Sequence, residues 1–326
     1  MIVISTGCPA GIGPEISVRA AATVRFPCLL VGDLSTLRAA AKVVAVSPNR
    51  LVPYRGQRLA ADEIAVLQAG PRLLRSDRAA GKPTKRSGTA QLQYIETAYD
   101  WVKAHSGSAL VTAPVSKAVI AKCGLRRARK FLGHTEWLEA RDGAKNTTMC
   151  FATRKFATSL VTTHLPLSKV PRAITPMKVA TATTALAELL IRLSNGAPRI
   201  AICSLNPHAG ESSLLGGEEN QAIYPGMRAA RRSLGTRAEL IGPIGAETAY
   251  RKAQAGAFDG VVAMYHDQAT IPTKLIAFGE AVNVTWGLSI IRTSVDHGTG
   301  YDIAWTGEAD ARGILSAISL ARRLSR

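Results

Sequence analysis

Strand-like and helix-like segments alternate along this chain, and that alternation restricts it to an α/β fold built on largely parallel sheet. Residues 1–5 read as a first strand, followed by a helix over 14–22 and a strand over 28–31, with Asp33 placed to cap the next helix. Residues 88–104 carry helical periodicity, with Leu92, Ile95, Ala98, Tyr99 and Val102 on one face. Residues 108–112 form a buried-type strand closed by Ala113-Pro114. The stretch 147–163 is rich in β-branched residues around Thr153-Arg154-Lys155 and reads as a hairpin. Helices are expected over 176–193, 219–234, 246–255 and 310–324, and strands over 199–205, 260–264 and 281–285. No repeat of 20–50 residues and no low-complexity linker interrupts the pattern.

Composition bounds the rest. A length of 326 residues suits two α/β domains better than one core. Hydrophobic residues make up 47% and charged residues 20%, the balance of a folded globular chain. No apolar stretch reaches the roughly 18 residues that span a bilayer, and the first residues lack the basic region and cleavage pattern of a signal peptide. The five cysteines are odd in number, far apart and without a Cys-x-x-Cys pair, which points to a reducing, cytoplasmic location. The net charge of +18 is the compositional oddity. Basic residues are spread along the chain, aromatics are only 5%, and no zinc-finger, helix-turn-helix or RNA-recognition signature is present. The charge fits a basic solvated surface with an anionic substrate or cofactor. A basic nucleic-acid-binding protein without catalysis stands as the remote alternative.

Two kinds of motif carry chemistry. His164, His208 and His266 each follow an apolar strand-like run, at the sheet edge where open α/β folds place their ligands. Three such imidazoles could hold one divalent metal, although their spacing matches no compact metal motif, and turn or core histidines are the plainer reading of the residues alone. Between the first strand and first helix, Thr6-Gly7-Cys8-Pro9-Ala10-Gly11-Ile12-Gly13-Pro14-Glu15 is glycine-rich. It is neither a Rossmann fingerprint, since Ile16 takes the third glycine's place, nor a P-loop; a tight βα turn and a phosphate cradle both fit it.

Taken together, six blocks in order resemble the 4-hydroxythreonine-4-phosphate dehydrogenase family of pyridoxal phosphate biosynthesis. They are the opening Pro9-Ala10-Gly11-Ile12-Gly13-Pro14-Glu15, Thr112-Ala113-Pro114-Val115-Ser116-Lys117, Gly133-His134-Thr135-Glu136, Leu205-Asn206-Pro207-His208-Ala209-Gly210-Glu211, Met264-Tyr265-His266-Asp267-Gln268, and Ile291-Arg292-Thr293-Ser294-Val295-Asp296-His297-Gly298-Thr299. The resemblance covers essentially the whole chain. It implies two α/β/α domains of the isocitrate/isopropylmalate dehydrogenase type, residues 1–133 with 295–326 and residues 134–294, with the active site in the cleft between them. It makes His164, His208 and His266 metal ligands for one Zn, Mg or Co per site, shared across a homodimer. It places His134, Thr135, Lys274, Asn283 and Arg292 at the substrate. The segment 296–304 resembles the adenosine-binding loop of isocitrate and isopropylmalate dehydrogenases, which puts His297, Asp302 and Gly11 near NAD or NADP.

The implied reaction is metal-dependent oxidation of 4-phosphohydroxy-L-threonine at C3, followed by decarboxylation to 3-amino-2-oxopropyl phosphate. Asp267 is a proton relay or a support for a neighbouring ligand. A paralogue acting on phosphorylated threonate or a cis-dihydrodiol dicarboxylate is the competing reading. Cys8 stands where the family usually has an acidic residue, Glu247 where it has aspartate, and Ser212-Ser213 replaces a glycine-rich stretch.

Overall fold

Strands form where short apolar runs are buried on both faces, the signature of sheet covered by helices on either side. All four residues of β1 (Ile2–Ser5) are buried, as are all five of β2 (Cys28–Gly32). The computed structural model describes residues 1–194 and 196–326. It divides into two units, Met1–Ala144 with Leu288–Arg326, and Lys145–Gly287.

After β1 and β2 with their helices α1 (Gly13–Thr23) and α2 (Leu34–Val43), the first unit continues through β3 (Leu51–Pro53), β4 (Ile64–Gln68), α3 (Lys85–Ala104) and β5 (Ala109–Thr112). Two shorter helices follow, α4 (Lys117–Ala121) and α5 (His134–Asp142). The second unit holds β6 (Thr148–Ala152), β7 (Ala157–Leu160), α6 (Val170–Ala173), α7 (Pro176–Leu193), β8 (Arg199–Cys203), α8 (Tyr224–Leu234) and β9 (Glu239–Ile244). It closes with α9 (Ala246–Gln254), β10 (Gly260–Ala263), α10 (His266–Ala277) and β11 (Val282–Trp286). The chain then returns to the first unit through β12 (Ile291–Ser294) and α11 (Arg312–Leu324).

Within the first unit the strand order is β3-β4-β2-β1-β5-β12, with every pair parallel. Within the second unit, ordered β11-β6-β7-β10-β8-β9, the pairs on either side of β6 are antiparallel and the rest parallel. The hairpin expected over 147–163 is thus β6–β7. α3 shows how sequence becomes packing: Thr84 caps it through Ser87 N, and Leu92 and Ile95, both 0% exposed, face the sheet. Full burial of such a side chain is worth about 1.5–3 kcal/mol. In the second unit Phe156, Tyr250, Phe258 and Val261 form the corresponding core.

Both junctions fall inside the segment expected as the central domain. Residues 134–144 and 288–294 lie with the first unit for physical reasons. Leu138 of α5 packs in the first core, Tyr99 Oη donates to Asp142 at 2.6 Å, and β12 pairs with β5. No single helix among the described residues is long and apolar enough to cross a membrane.

Candidate active site

In the second unit the site begins with two neighbouring strands. β7 and β10 are parallel, and their continuations stay tied: Val161 N donates to Ala263 O at 2.9 Å, and Thr162 Oγ1 to Met264 O at 2.7 Å. His164 and His266 follow these ties, and their rings come to 5.6 Å between centroids at an interplanar angle of 44°. With metal–nitrogen bonds of about 2.1 Å, two imidazoles on one ion have centroids roughly 5–6 Å apart. The pair therefore fits a shared ion. His266 Nδ1 lies 2.8 Å from Asp267 Oδ1. That contact fixes the ring and leaves Nε2 for a ligand, the usual carboxylate–histidine arrangement at metals.

His208 is positioned differently. Residues 208–213 all have positive φ, including His208 (52°), Ala209 (54°), Glu211 (41°), Ser212 (54°) and Ser213 (75°). A left-handed turn of mostly non-glycine residues is strained and needs outside support. Glu219, 2% exposed, anchors the residues that lead into it. Its Oε1 accepts from Leu205 N (2.9 Å) and Asn206 N (2.8 Å), and its Oε2 from Asn206 Nδ2 (3.0 Å). Among the described residues no three His, Cys, Asp or Glu side chains gather as a metal group. One chain therefore brings together two of the three expected ligands.

Two further expected residues lie in this unit. Lys274 sits exposed on α10, two turns beyond His266. Asn283, on β11, has a buried Oδ1 with no hydrogen-bond partner. A buried acceptor left unmet costs about 1–3 kcal/mol, and such atoms mark where a ligand completes the bonding.

In the first unit, an anion seat forms around the start of α5. Arg292, on β12, is only 3% exposed and donates through Nη2 to Thr112 Oγ1 at 2.7 Å. Burial pushes its pKa down to about 10 despite Glu136 nearby. The N-cap Gly133 offers α5 no side-chain cap, so the helix start keeps its positive polarity. A Cβ at Gly133 would lie 2.7 Å from Glu136 Oε2 and 3.4 Å from Lys117 Nζ, so the ends of both side chains lie against the start of α5. His134 opens α5 with a buried Nε2 that has no partner. Burial first, then the charges of Arg292 and Lys117, hold its pKa well below the ordinary histidine value. It is a neutral imidazole facing two cations, and Thr135 follows it on the same turn. Lys117, at the start of α4, is the member the sequence reading missed. Its signal is Ser116, which caps α4 directly after β5.

The remaining expected residues lie where two loops of the first unit are bound together. Ile12 N donates to Thr299 O at 2.9 Å, and Trp305 N and Gly307 N donate to the two oxygens of Glu15. A Cβ on Gly11 would stand 2.6 Å from Thr299 O, so the close approach of the two loops itself requires that glycine. Cys8 Sγ is 3.5 Å from Tyr301 Oη. The thiol replaces a charge with a weak neutral partner, and its own burial raises its pKa. His297 and Asp302 are exposed on the same loop. Glu247 is occupied on the surface of α9 by Arg251 (2.8 Å) and Thr248 (2.9 Å).

Comparison with known proteins agrees along the whole chain. Residues 25–321 match the family model of the pyridoxal phosphate biosynthetic protein PdxA. A 4-hydroxythreonine-4-phosphate dehydrogenase of Desulfosudis oleivorans is 41% identical over 329 aligned residues, 98% of this chain and 95% of that one. The solved 4-hydroxythreonine-4-phosphate dehydrogenase of Klebsiella pneumoniae superposes with a TM-score of 0.82 at 32% identity, covering 100% and 99% of the two chains. A terephthalate 1,2-cis-dihydrodiol dehydrogenase of Burkholderia xenovorans superposes with a TM-score of 0.69 at 28% identity, covering 99% and 97%.

Proposed function

The chain belongs to the PdxA family of pyridoxal phosphate biosynthesis, and on that premise we propose a metal-assisted C3 oxidation of 4-phosphohydroxy-L-threonine, with NAD or NADP as hydride acceptor. It is a 4-hydroxythreonine-4-phosphate dehydrogenase, an oxidoreductase. The observation that carries the metal-assisted reading is the convergence of His164 and His266, with Asp267 orienting one ring. His208 supplies the third ligand position. A bound divalent ion (Zn, Mg or Co) supplies Lewis acidity at the substrate oxygen.

The chain's own residues hold the substrate. Arg292, Lys117 and the start of α5 neutralise an anionic end, phosphate or carboxylate. His134, kept neutral among cations, offers Nε2 to a hydroxyl or phosphate oxygen, and Thr135 adds a hydroxyl beside it. The Asn283 Oδ1 orients an ammonium or hydroxyl, and Lys274 balances further negative charge. Asp267 passes a proton to solvent through water or acts only on the His266 ring. His297 and Asp302 contact the adenosine end of the dinucleotide beside Gly11. The product, 2-amino-3-oxo-4-phosphohydroxybutanoate, is a β-keto acid and loses CO2 to give 3-amino-2-oxopropyl phosphate.

The working unit is a homodimer in which the partner copy completes each metal site. Support comes from the outer face of α10, where Ile271, Leu275 and Phe278 are 58%, 82% and 81% exposed. An apolar stripe of that kind beside a two-histidine site calls for a covering surface. Five free, buried cysteines fit a reducing cytoplasm. A single metal-loaded preparation assayed with 4-phosphohydroxy-L-threonine, phosphorylated threonate and a cis-dihydrodiol dicarboxylate tests the substrate. The first should give the highest kcat/KM. Faster turnover of the dihydrodiol would move the chain to the reaction named for its Burkholderia neighbour.

A further inference from the structure

Between β12 and α11 the chain runs through residues 295–311 without a strand or an α-helix. A loop of that length has no ladder of its own and keeps one shape only if other elements bind its backbone. His297 and Asp302 are exposed on it, while Ala304 and Ala309 are buried. Ile12 N ties its first part at Thr299 O, and the Ile12 side chain lies against Gly300, where a Cβ would stand 3.1 Å from it. Trp305 Nε1 donates to Pro9 O at 3.1 Å.

Two charged side chains, one turn apart on α1, bind the remainder. Glu15 is 1% exposed. Its Oε2 accepts from Trp305 N at 2.6 Å and its Oε1 from Gly307 N at 2.9 Å. Arg19 donates through Nη2 to Gly307 O at 2.6 Å and through Nη1 to Ala309 O at 3.0 Å. Gly307 is thereby held at both its N–H and its C=O. A Glu and an Arg four residues apart on a helix commonly pair with each other. Among the described residues these two make no such ion pair and direct their hydrogen bonds to the loop.

Trp305 shows that the loop is held away from its relaxed shape. Its φ is 64°, an outlier for a bulky residue. Such a conformation persists only where the surroundings over-determine it, and here the buried carboxylate binds the strained residue at its own N–H. A loop already in its binding shape costs a ligand no ordering, and affinity falls in proportion as that shape is depopulated.

We propose that Glu15 and Arg19 are positioning residues for the dinucleotide: they hold the loop in the conformation that presents His297 and Asp302, and so set its affinity. This rests on the reading that the loop meets the dinucleotide. Titration calorimetry of the full-length, metal-loaded protein with NADH and with NADPH, in the absence of substrate, tests it alongside hydrogen exchange of residues 299–309. Glu15→Gln keeps the volume but turns an amide N–H2 toward one of the two backbone donors. It should weaken the tighter-binding dinucleotide about tenfold, as loss of one charge-assisted bond implies. Arg19→Ala removes a part-exposed side chain, keeps the fold, and should weaken it at least about threefold. In both variants the loop amides should exchange faster, while affinity for divalent metal, set in the second unit, stays at its natural value. Unchanged dinucleotide affinity in both variants overturns the proposal. So does weaker binding with loop exchange unaltered, or an equal loss of metal affinity, which would mean general loosening. His297→Ala and Asp302→Ala separate the two readings. If they leave binding unchanged while Glu15→Gln weakens it, the positioning role stands and the assignment of those two contacts fails. If they weaken binding while Glu15→Gln and Arg19→Ala do not, the contacts stand and the positioning role fails.

Discussion

Replacing Glu219 with alanine should displace His208 without unfolding the second unit. Five non-glycine residues of the turn it supports have φ between 41° and 75°. At about 1–2 kcal/mol each, they store roughly 5–10 kcal/mol of strain. The carboxylate opposes this with three hydrogen bonds of 2.8–3.0 Å, worth about 1.5–3 kcal/mol apiece for a charged acceptor. The two sums are comparable, but the bonds hold Leu205 and Asn206, which lead into the turn, so the carboxylate acts on the turn through its entry. On its loss the segment relaxes into right-handed or extended backbone and recovers much of the strain. Global stability should then fall by only about 1–3 kcal/mol. Affinity for divalent metal should fall about 10- to 100-fold, the usual cost of removing a group that orients a ligand. Glu219→Gln keeps an oxygen for Leu205 N and Asn206 N but turns an amide N–H2 toward Asn206 Nδ2, so its effect should be intermediate. Urea unfolding and metal titration against a competing chelator measure the two quantities separately. A stability loss above about 4 kcal/mol with unchanged metal affinity would refute the reasoning, since the carboxylate would then hold the fold and not the ligand.

Lys117→Ala should lower kcat/KM by about 1.5–3 kcal/mol of lost charge-assisted binding, with a smaller effect on an unphosphorylated substrate; steady-state kinetics on both substrates checks it. His134 has a folded-state pKa depressed below the ordinary value of about 6.5. Below that pH the unfolded chain binds a proton that the folded chain refuses, so stability should fall with acidification by at most about 1.4 kcal/mol per pH unit. Melting curves between pH 7 and pH 5 should be steeper for the natural chain than for His134→Asn. Leu275→Glu or Phe278→Glu should yield an inactive monomer in sedimentation, with a melting temperature close to that of a reversibly dissociated natural chain.

Much of the architecture was readable in the residues themselves. The apolar stripe of α3, the β6–β7 hairpin and the Asp33 cap of α2 all follow from local rules. α10 was not, because its buried side is Ala269, Thr270 and Thr273 while its large apolar residues face outward, and Pro272 lies within it. α5 escaped for a related reason: Leu138 is its one fully buried side chain, and it is entered through a glycine. Histidines after strands were legible as sheet-edge residues. That His164 and His266 meet depends on β7 pairing with β10, a contact between residues about a hundred positions apart. The left-handed turn at His208 has no local signature, since Gly210 is its only glycine and its support comes from Glu219. Lys117 has no local mark of a site residue; its place beside His134 and Arg292 comes only with the fold.

The most direct test supplies 4-phosphohydroxy-L-threonine and NADP or NAD to exhaustively chelated protein, and then to the same protein after one equivalent of divalent metal per chain. Reduced nicotinamide should appear only after metal is restored, matched mole for mole by released CO2. Full activity in the metal-free protein would contradict the assignment of His164, His208 and His266. No activity with any divalent metal would contradict the reaction itself.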